Sequence, residues 1–275
     1  MTKIATLTQA RHGDYFSAKV LRDSDATTLD PFLGIDHALM GAPTFPAHPH
    51  AGFSAVSYVF QDSQSAILNR DSLGTQNLIQ PGGLHWTAAG SGVVHEENPA
   101  EAGKTVHMLQ IFINLPVSKQ ADAPFMLSIA AQDVPEKVIS GGRVRVPLGQ
   151  TLGMQSPLQT PTKVGLFDIA LDENSKLDLP VLAADKLIVM PVAGSVRIDG
   201  AVFHSDQFTL PIYPEHHGKT SLTIEAVDGP AQVVVFSGQP LKQPVFWHGP
   251  IAMASQNAVT QALNSYRKGE FGIMS

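Results

Sequence analysis

Short strand-like segments separated by turn residues recur along the whole chain, and no other feature constrains its fold as strongly. They are rich in β-branched, aromatic and other apolar residues, as strands are. The segments are AVSYVFQ, SAILNR, TQNLI, VVHEE, VHMLQIFINL, VRVPL, VGLFDIAL, KLIVMPV, SVRIDG, SLTIEAV and AQVVVFSG. Charged residues make up only 15% of the chain, which also contains 23 Gly and 20 Pro. Few charges and many turn-forming residues favour strands and turns over helices. The pattern therefore predicts an all-β protein built as a barrel or sandwich.

The segments fall into two series. The chain has 275 residues, enough for two ordinary domains, and a glycine pair at 141–142 precedes the second series. We predict one barrel over residues 1–140 and a second over residues 141–275 that carries a short C-terminal helix. The helix is predicted from Ser255 to Lys268, with Ser255 or Asn257 as its N-cap and Gly269 ending it.

Two histidines one residue apart, His48 and His50 in HPHAGF, precede a strand-like run. Further along, VVHEE places His95 and Glu97 at the same spacing. Side chains at positions i and i+2 of a strand point to the same face. If the two segments form neighbouring strands, three imidazoles and one carboxylate meet inside a barrel. The spacing therefore predicts a metal site, whereas a histidine pair in a surface loop is the alternative.

The candidate ligand residues restrict which metal ions the site can bind. The chain contains no cysteine, so thiolate ligands are excluded. Imidazole and carboxylate suit a divalent first-row ion such as Fe, Mn, Ni, Cu or Zn. Four protein ligands on a six-coordinate ion leave two positions for water, substrate or O2, whereas a structural site is normally closed. In the second series, His204 and the adjacent pair His216 and His217 lack the i, i+2 spacing, so we predict no metal there.

Several stretches give the chain a resemblance to the pirin family of the cupin superfamily. They are HPHAGF, RDSLG, QPGGLHWTAAGSGVVHEENP, MLQIFINLP, HGPIAMAS and NSYRKGEFG, in the order and spacing of that family. The resemblance implies two cupin-type β-barrels, a bicupin, with one metal in the N-terminal barrel. It also implies that His48, His50 and His95 are the histidine ligands and that Glu97 is the carboxylate ligand.

The function that the resemblance implies is oxidative. Family members bind iron, and several bacterial ones oxidise quercetin with dioxygen. We therefore expect a metal-dependent dioxygenase that acts on quercetin or a related flavonol, with Fe(II) as cofactor and Zn, Mn, Ni, Cu or Co as alternatives. Glu97 is the candidate catalytic base for the substrate hydroxyl. Eukaryotic members regulate transcription, so the alternative is a metal-containing regulatory protein that acts through protein contacts with little turnover.

Two positions in and directly after HPHAGF differ from the residues that are usual in the family. Ala51 stands where most members have Arg, and Ser54 stands where Glu is usual. We expect these replacements to remove polar groups near the mouth of the pocket and to lower turnover. The neighbouring Glu96 is expected to point away from the barrel interior as a solvated charge, because adjacent strand residues alternate between faces.

Charge and hydropathy exclude other classes of protein. The net charge is −6 and no basic stripe is present, which disfavours direct binding to nucleic acid. No apolar run reaches the length of a membrane span, and the N-terminal residues lack the apolar segment of a signal peptide. We therefore expect a cytoplasmic protein that does not contact membranes.

Overall fold

The structure, a computed structural model, describes residues 2–22 and 27–274. In the first half of the chain the strands are β1 (Lys3–Thr6), β2 (Thr8–His12), β3 (Phe16–Arg22), β4 (Phe32–Met40), β5 (His48–His50), β6 (Phe53–Val59), β7 (Ile67–Asp71), β8 (Gln76–Ile79), β9 (Leu84–Ala88), β10 (Val93–Pro99), β11 (Val106–Asn114) and β12 (Phe125–Ile129). In the second half they are β13 (Glu136–Ile139), β14 (Gly142–Leu148), β15 (Gln150–Thr151), β16 (Met154–Gln155), β17 (Val164–Leu171), β18 (Lys176–Pro180), β19 (Lys186–Ile198), β20 (Ala201–His204), β21 (Thr209–Tyr213), β22 (Ser221–Gly238), β23 (Phe246–His248) and β24 (Ile251–Met253). The helix α1 spans Gln256–Arg267, and single 3-10 turns lie at Val117–Lys119 and Ala131–Asp133. The predicted all-β class is confirmed.

The chain forms two compact units. The histidine unit comprises Gln9–Thr27, Phe32–Gln132 and Leu241–Ser275, and the second unit comprises residues 1–8, Thr28–Pro31 and Asp133–Pro240. The predicted division after residue 140 lies close to Asp133. The C-terminal segment, however, belongs to the histidine unit and not to the barrel that precedes it in sequence.

The histidine unit contains two antiparallel sheets. Seven strands pair in the order β12-β9-β6-β11-β4-β3-β2, and four pair in the order β5-β10-β7-β8. Strand β6 lies between β9 and β11, and all seven of its residues are buried. This explains why AVSYVF is almost continuously apolar, since both faces of the strand are covered.

The helix α1 confirms the sequence prediction almost to the residue. Ser255 is its N-cap, and the Oγ of Ser255 accepts a hydrogen bond from the backbone N–H of Ala258 at 3.1 Å. Val259 and Ala262 are buried against Ala51 and Val94 from the two histidine segments. These contacts are the reason that the C-terminal segment joins the histidine unit.

The second unit is a separate antiparallel assembly. Seven strands pair in the order β1-β21-β19-β22-β17-β14-β13, and β18 and β20 add to β22 and β19. Alternating residues of β18 are buried and exposed, so one face of that strand covers the core. The core of this unit consists of aliphatic side chains with Phe167, Phe203 and Tyr213.

Candidate metal centre

Strands β5 and β10 bring the three predicted histidines together. The strands pair antiparallel, with His48 opposite His95 and His50 opposite Val93. The ring centroids of the three histidines lie 4.7, 4.8 and 4.9 Å apart. One potential ligand atom from each ring lies within 4.8 Å of the others, and in the described part of the chain no other group of three candidate ligand residues meets this condition. The predicted neighbouring strands are present.

Two glycines allow the C-terminal segment to approach the histidine strands closely. Gly52 turns the chain between β5 and β6 with a φ of 84°, and a Cβ there would lie 1.9 Å from the carbonyl oxygen of Ala252. Gly92 precedes β10, and a Cβ there would lie 2.1 Å from the ring of Phe271. The C-terminal segment therefore packs directly against both histidine strands.

Hydrogen bonds orient two of the imidazoles. The Nδ1–H of His48 donates to the carbonyl of Pro46 at 2.9 Å, and that of His50 donates to the carbonyl of Pro250 at 3.3 Å. These bonds leave the Nε2 lone pairs of both rings available to a metal. The Nδ1 of His95 is buried and has no hydrogen-bond partner among the described residues. A buried nitrogen without a partner costs about 1–3 kcal/mol.

Burial keeps the rings of His50 and His95 neutral. Burial, reinforced by the neighbouring histidines, lowers the pKa of His95 well below its usual value. Burial, together with the proximity of His48, lowers the pKa of His50 to about 3. A neutral imidazole offers the lone pair that a metal needs, so this donor set fits a divalent first-row ion.

Glu97 lies two residues beyond His95 on β10 but outside the group of three imidazoles. The hydroxyl of Ser57 on β6 lies 2.6 Å from Oε2 and 2.8 Å from Oε1 of this carboxylate. Burial raises the pKa of Glu97 to about 7, and the hydrogen bond from Ser57 opposes that rise. The role of Glu97 as a ligand stays a prediction. Its neighbour Glu96 forms an ion pair with Arg70 and is not a solvated charge.

Aromatic rings lie next to the three histidines. The ring of His50 lies 5.0 Å from that of Phe53 and 6.1 Å from that of Phe112. Phe53 also contacts the half-exposed Trp247 at 5.7 Å. The guanidinium of Arg22 lies 5.1 Å above the ring of Phe112. We call Phe53, Phe112 and Trp247 the aromatic wall.

Sequence reasoning missed several polar residues of this interior. Arg22 forms a two-point ion pair with Asp36, at 2.5 and 2.9 Å. His85 lies opposite Ser57 in the β6–β9 register, its Nδ1 bonds the Ser128 hydroxyl at 2.8 Å, and burial lowers its pKa to about 4. The Arg22–Asp36 pair joins two consecutive strands, and the His85–Ser128 bond joins strands that are distant in sequence. No local motif marks either contact.

The structure shows where Ala51 and Ser54 lie, and their expected effect on turnover stays a prediction. Both side chains are fully buried. Ala51 packs in the cluster with α1, and Ser54 points to the opposite face of β6 from Ser57 and Phe53.

The second unit offers no comparable group among its described residues. His204 bonds Ser195 at 2.7 Å, and the Nδ1 of His217 accepts from the backbone N–H of Lys219 at 3.0 Å. A cavity of about 720 Å³ in this unit, lined in part by Lys163 and Asp185, contains none of the predicted site residues.

Comparison with known proteins agrees with the fold. Residues 3–113 match the family model described as Pirin, and residues 166–272 match the one described as Pirin C-terminal cupin domain. Mouse pirin is 31% identical over 250 residues, covering 89% of this chain and 83% of that protein. A pirin-like protein of Caulobacter vibrioides is 31% identical over 261 residues, covering 92% of this chain and 91% of that protein. The crystal structure of a quercetin 2,3-dioxygenase from Acinetobacter baumannii is 26% identical with a TM-score of 0.88, covering 98% of this chain and 97% of that one.

Residues 2–22 and 27–274 include no helix of the length and hydropathy that a membrane crossing requires.

Proposed function

The chain belongs to the pirin family, and on that basis we propose that it is a metal-dependent dioxygenase that oxidises quercetin or a related flavonol with O2. The observation that carries the proposal is the convergence of three imidazoles beside an aromatic wall. A similar fold occurs in a quercetin 2,3-dioxygenase, which supports the substrate class.

The residues that would hold the metal are His48, His50 and His95, joined by Glu97 as the carboxylate ligand. Fe(II) is the ion that we propose. When bound, a divalent ion would supply Lewis-acid activation of the substrate hydroxyl and a binding position for O2.

The other residues act on the substrate. Phe53 and Phe112 lie within ring-contact distance of His50, so a planar flavonol can stack or pack edge-on beside the metal position. Glu97 would take the proton of the flavonol hydroxyl, because a carboxylate within reach of that hydroxyl can act as a general base. Ser57 holds this carboxylate in position. The half-buried aromatic wall limits the access of water to the reacting ring.

Oxygen uptake with a flavonol tests the proposal. The metal-free protein is loaded separately with Fe(II), Ni(II), Mn(II), Co(II), Cu(II) or Zn(II), and the loss of quercetin absorbance and of dissolved O2 is followed. We expect at least one loaded form to exceed the same free metal in buffer. Glu97→Gln should lose most of that activity, and Glu96→Gln is the matched control because Glu96 pairs with Arg70 instead.

Absence of turnover above free metal in every loaded form would contradict the proposal. Retained metal without turnover would favour the alternative, a regulatory protein that acts through protein partners. A pull-down with the metal-loaded and metal-free forms would then be the next measurement. We place either activity in the cytoplasm, without direct contact with nucleic acid or membrane.

A further inference from the structure

The guanidinium of Arg22 lies beside the aromatic wall. Arg22 is the last residue of β3 and pairs with Gly34 of β4, which in turn pairs with Phe112 of β11. Directly paired residues of neighbouring strands point to the same face of a sheet, so Arg22 shares the face of Phe112. The Arg22 side chain is 41% exposed. A cation that solvent can reach therefore stands next to the rings that we assign to the substrate.

Gly34 lets this side chain lie across β4. At the observed Arg22 conformation, a Cβ at position 34 would lie 2.5 Å from Nη1 and 2.7 Å from Cζ of Arg22. The guanidinium lies 5.1 Å from the Phe112 ring, and that ring lies 6.1 Å from the His50 ring, so the guanidinium is no more than about 11 Å from a candidate metal ligand. A three-ring flavonol can span this distance.

Asp36 uses only one edge of the guanidinium. Nη1 and Nη2 of Arg22 donate to the two carboxylate oxygens at 2.5 and 2.9 Å, and Nη1 also donates to the carbonyl of Leu21 at 3.0 Å. A guanidinium carries five N–H donors, so the Nε–H and the second N–H of Nη2 remain. Neither has a hydrogen-bond partner among residues 2–22 and 27–274. These two donors are neighbours on the Nε–Nη2 edge.

The chemistry of this edge selects the ligand group. Two parallel N–H donors in a rigid plane match two adjacent oxygen acceptors, which a single oxygen cannot satisfy. Asp36 already compensates the charge of Arg22, so the edge does not need a full anion. The planar cation also packs well against an aromatic ring. An aromatic ring that carries two vicinal oxygens meets all three conditions.

We propose that Arg22 is a specificity-determining residue that binds two vicinal oxygens of the aromatic substrate, at the end remote from the metal position. In quercetin these are the adjacent hydroxyls of the catechol ring. Asp36 holds the guanidinium in place and does not touch the substrate. The inference rests on the proposed function, because it assumes a flavonol in the same pocket.

Binding of three flavonols to the Zn(II)-loaded protein without O2 tests this role. Quercetin carries two vicinal hydroxyls on the relevant ring, kaempferol carries one and galangin carries none. The dissociation constants are measured by isothermal titration, so turnover is not required. We expect the unmodified protein to bind quercetin roughly tenfold more tightly than galangin. Arg22→Lys should abolish this preference and leave galangin binding unchanged, because an ammonium keeps the charge beside Asp36 but lacks the two-donor edge.

Arg70→Lys is the matched control, since Arg70 pairs with Glu96 and not with the aromatic wall. It should keep the preference for quercetin. Arg22→Gln repeats the test with an uncharged side chain, and an unchanged melting temperature shows that the fold is retained.

A preference for quercetin that survives in Arg22→Lys and Arg22→Gln would overturn the inference. So would equal binding of all three flavonols by the unmodified protein, a result that leaves the proposed function standing. If the unmodified protein bound none of the three, the proposed function would fail together with the role of Arg22. The two failures are therefore distinguishable.

Discussion

The Ser57 hydroxyl lies 2.6 Å from one oxygen of Glu97 and 2.8 Å from the other, although 40 residues separate the two in sequence. The contact crosses from the seven-stranded sheet to the four-stranded sheet of the histidine unit. It is the hydrogen bond that stabilises the charged form of a carboxylate whose pKa is otherwise raised by burial.

Replacing Ser57 by Ala should raise the pKa of Glu97 further above its usual value. A hydrogen bond to a charged group contributes about 1.5–3 kcal/mol, so the acidic limb of the pH–rate profile should move up by about 1–2 pH units. Oxygen uptake measured on the acidic limb should fall by roughly 10–100-fold. Ser54→Ala on the same strand is the control, because Ser54 is buried on the opposite face. An acidic limb that does not move in Ser57→Ala would show that Ser57 does not tune Glu97.

The stability of the metal-free protein should fall as pH rises through 7. The pKa of Glu97 is raised from 4.5 in the unfolded chain to about 7 in the folded protein. The folded state therefore binds the proton more tightly, and this contribution to stability is complete below pH 4.5 and is lost as pH passes the folded value. The loss is at most about 3 kcal/mol, since one pKa unit corresponds to about 1.4 kcal/mol.

Urea unfolding of the metal-free protein between pH 4.5 and 8.5 measures this effect. Glu97→Gln should flatten the pH dependence, because glutamine remains neutral. A slope that is the same in Glu97→Gln would mean that other groups cause it.

His50→Ala should remove most of the tightly bound metal. The variant loses one imidazole of three, so affinity should fall by more than the roughly 10–100-fold typical of an outer hydrogen-bond partner. Metal analysis after dialysis against a weak chelator measures the loss. His204→Ala is the control, and it should keep the full content because His204 bonds Ser195 in the second unit. Metal loss in His204→Ala would instead place an ion in that unit.

Phe112→Ala should weaken substrate binding more than metal binding. Removing one aromatic contact costs about 0.5–1.5 kcal/mol beyond area burial, so KM for the flavonol should rise by roughly 3–10-fold. The metal content should stay unchanged. Phe125→Ala is the control, since Phe125 is 40% exposed on β12. An unchanged KM in Phe112→Ala would remove this ring from the substrate site.

Local rules account for what the sequence predicted correctly. The i, i+2 spacing placed His48 with His50 because strand side chains alternate, whatever the strand pairs with. The capping serine and the following glycine bounded α1 for equally local reasons. The turn residues between apolar runs were enough to predict an all-β protein.

Long-range packing decided the rest. Three contacts depend on strand register: the pairing of His95 with His48, the Ser57–Glu97 bond and the approach of His37 to His107. Register is set by which strand faces are buried and by the turns, and both are fixed only in the folded chain. The C-terminal segment joined the histidine unit because Val259 and Ala262 bury their apolar surface against Ala51 and Val94. By itself the sequence determined which side chains share a strand face. Only the tertiary structure decided which faces meet, because burial and backbone pairing are satisfied between segments that are distant in the chain.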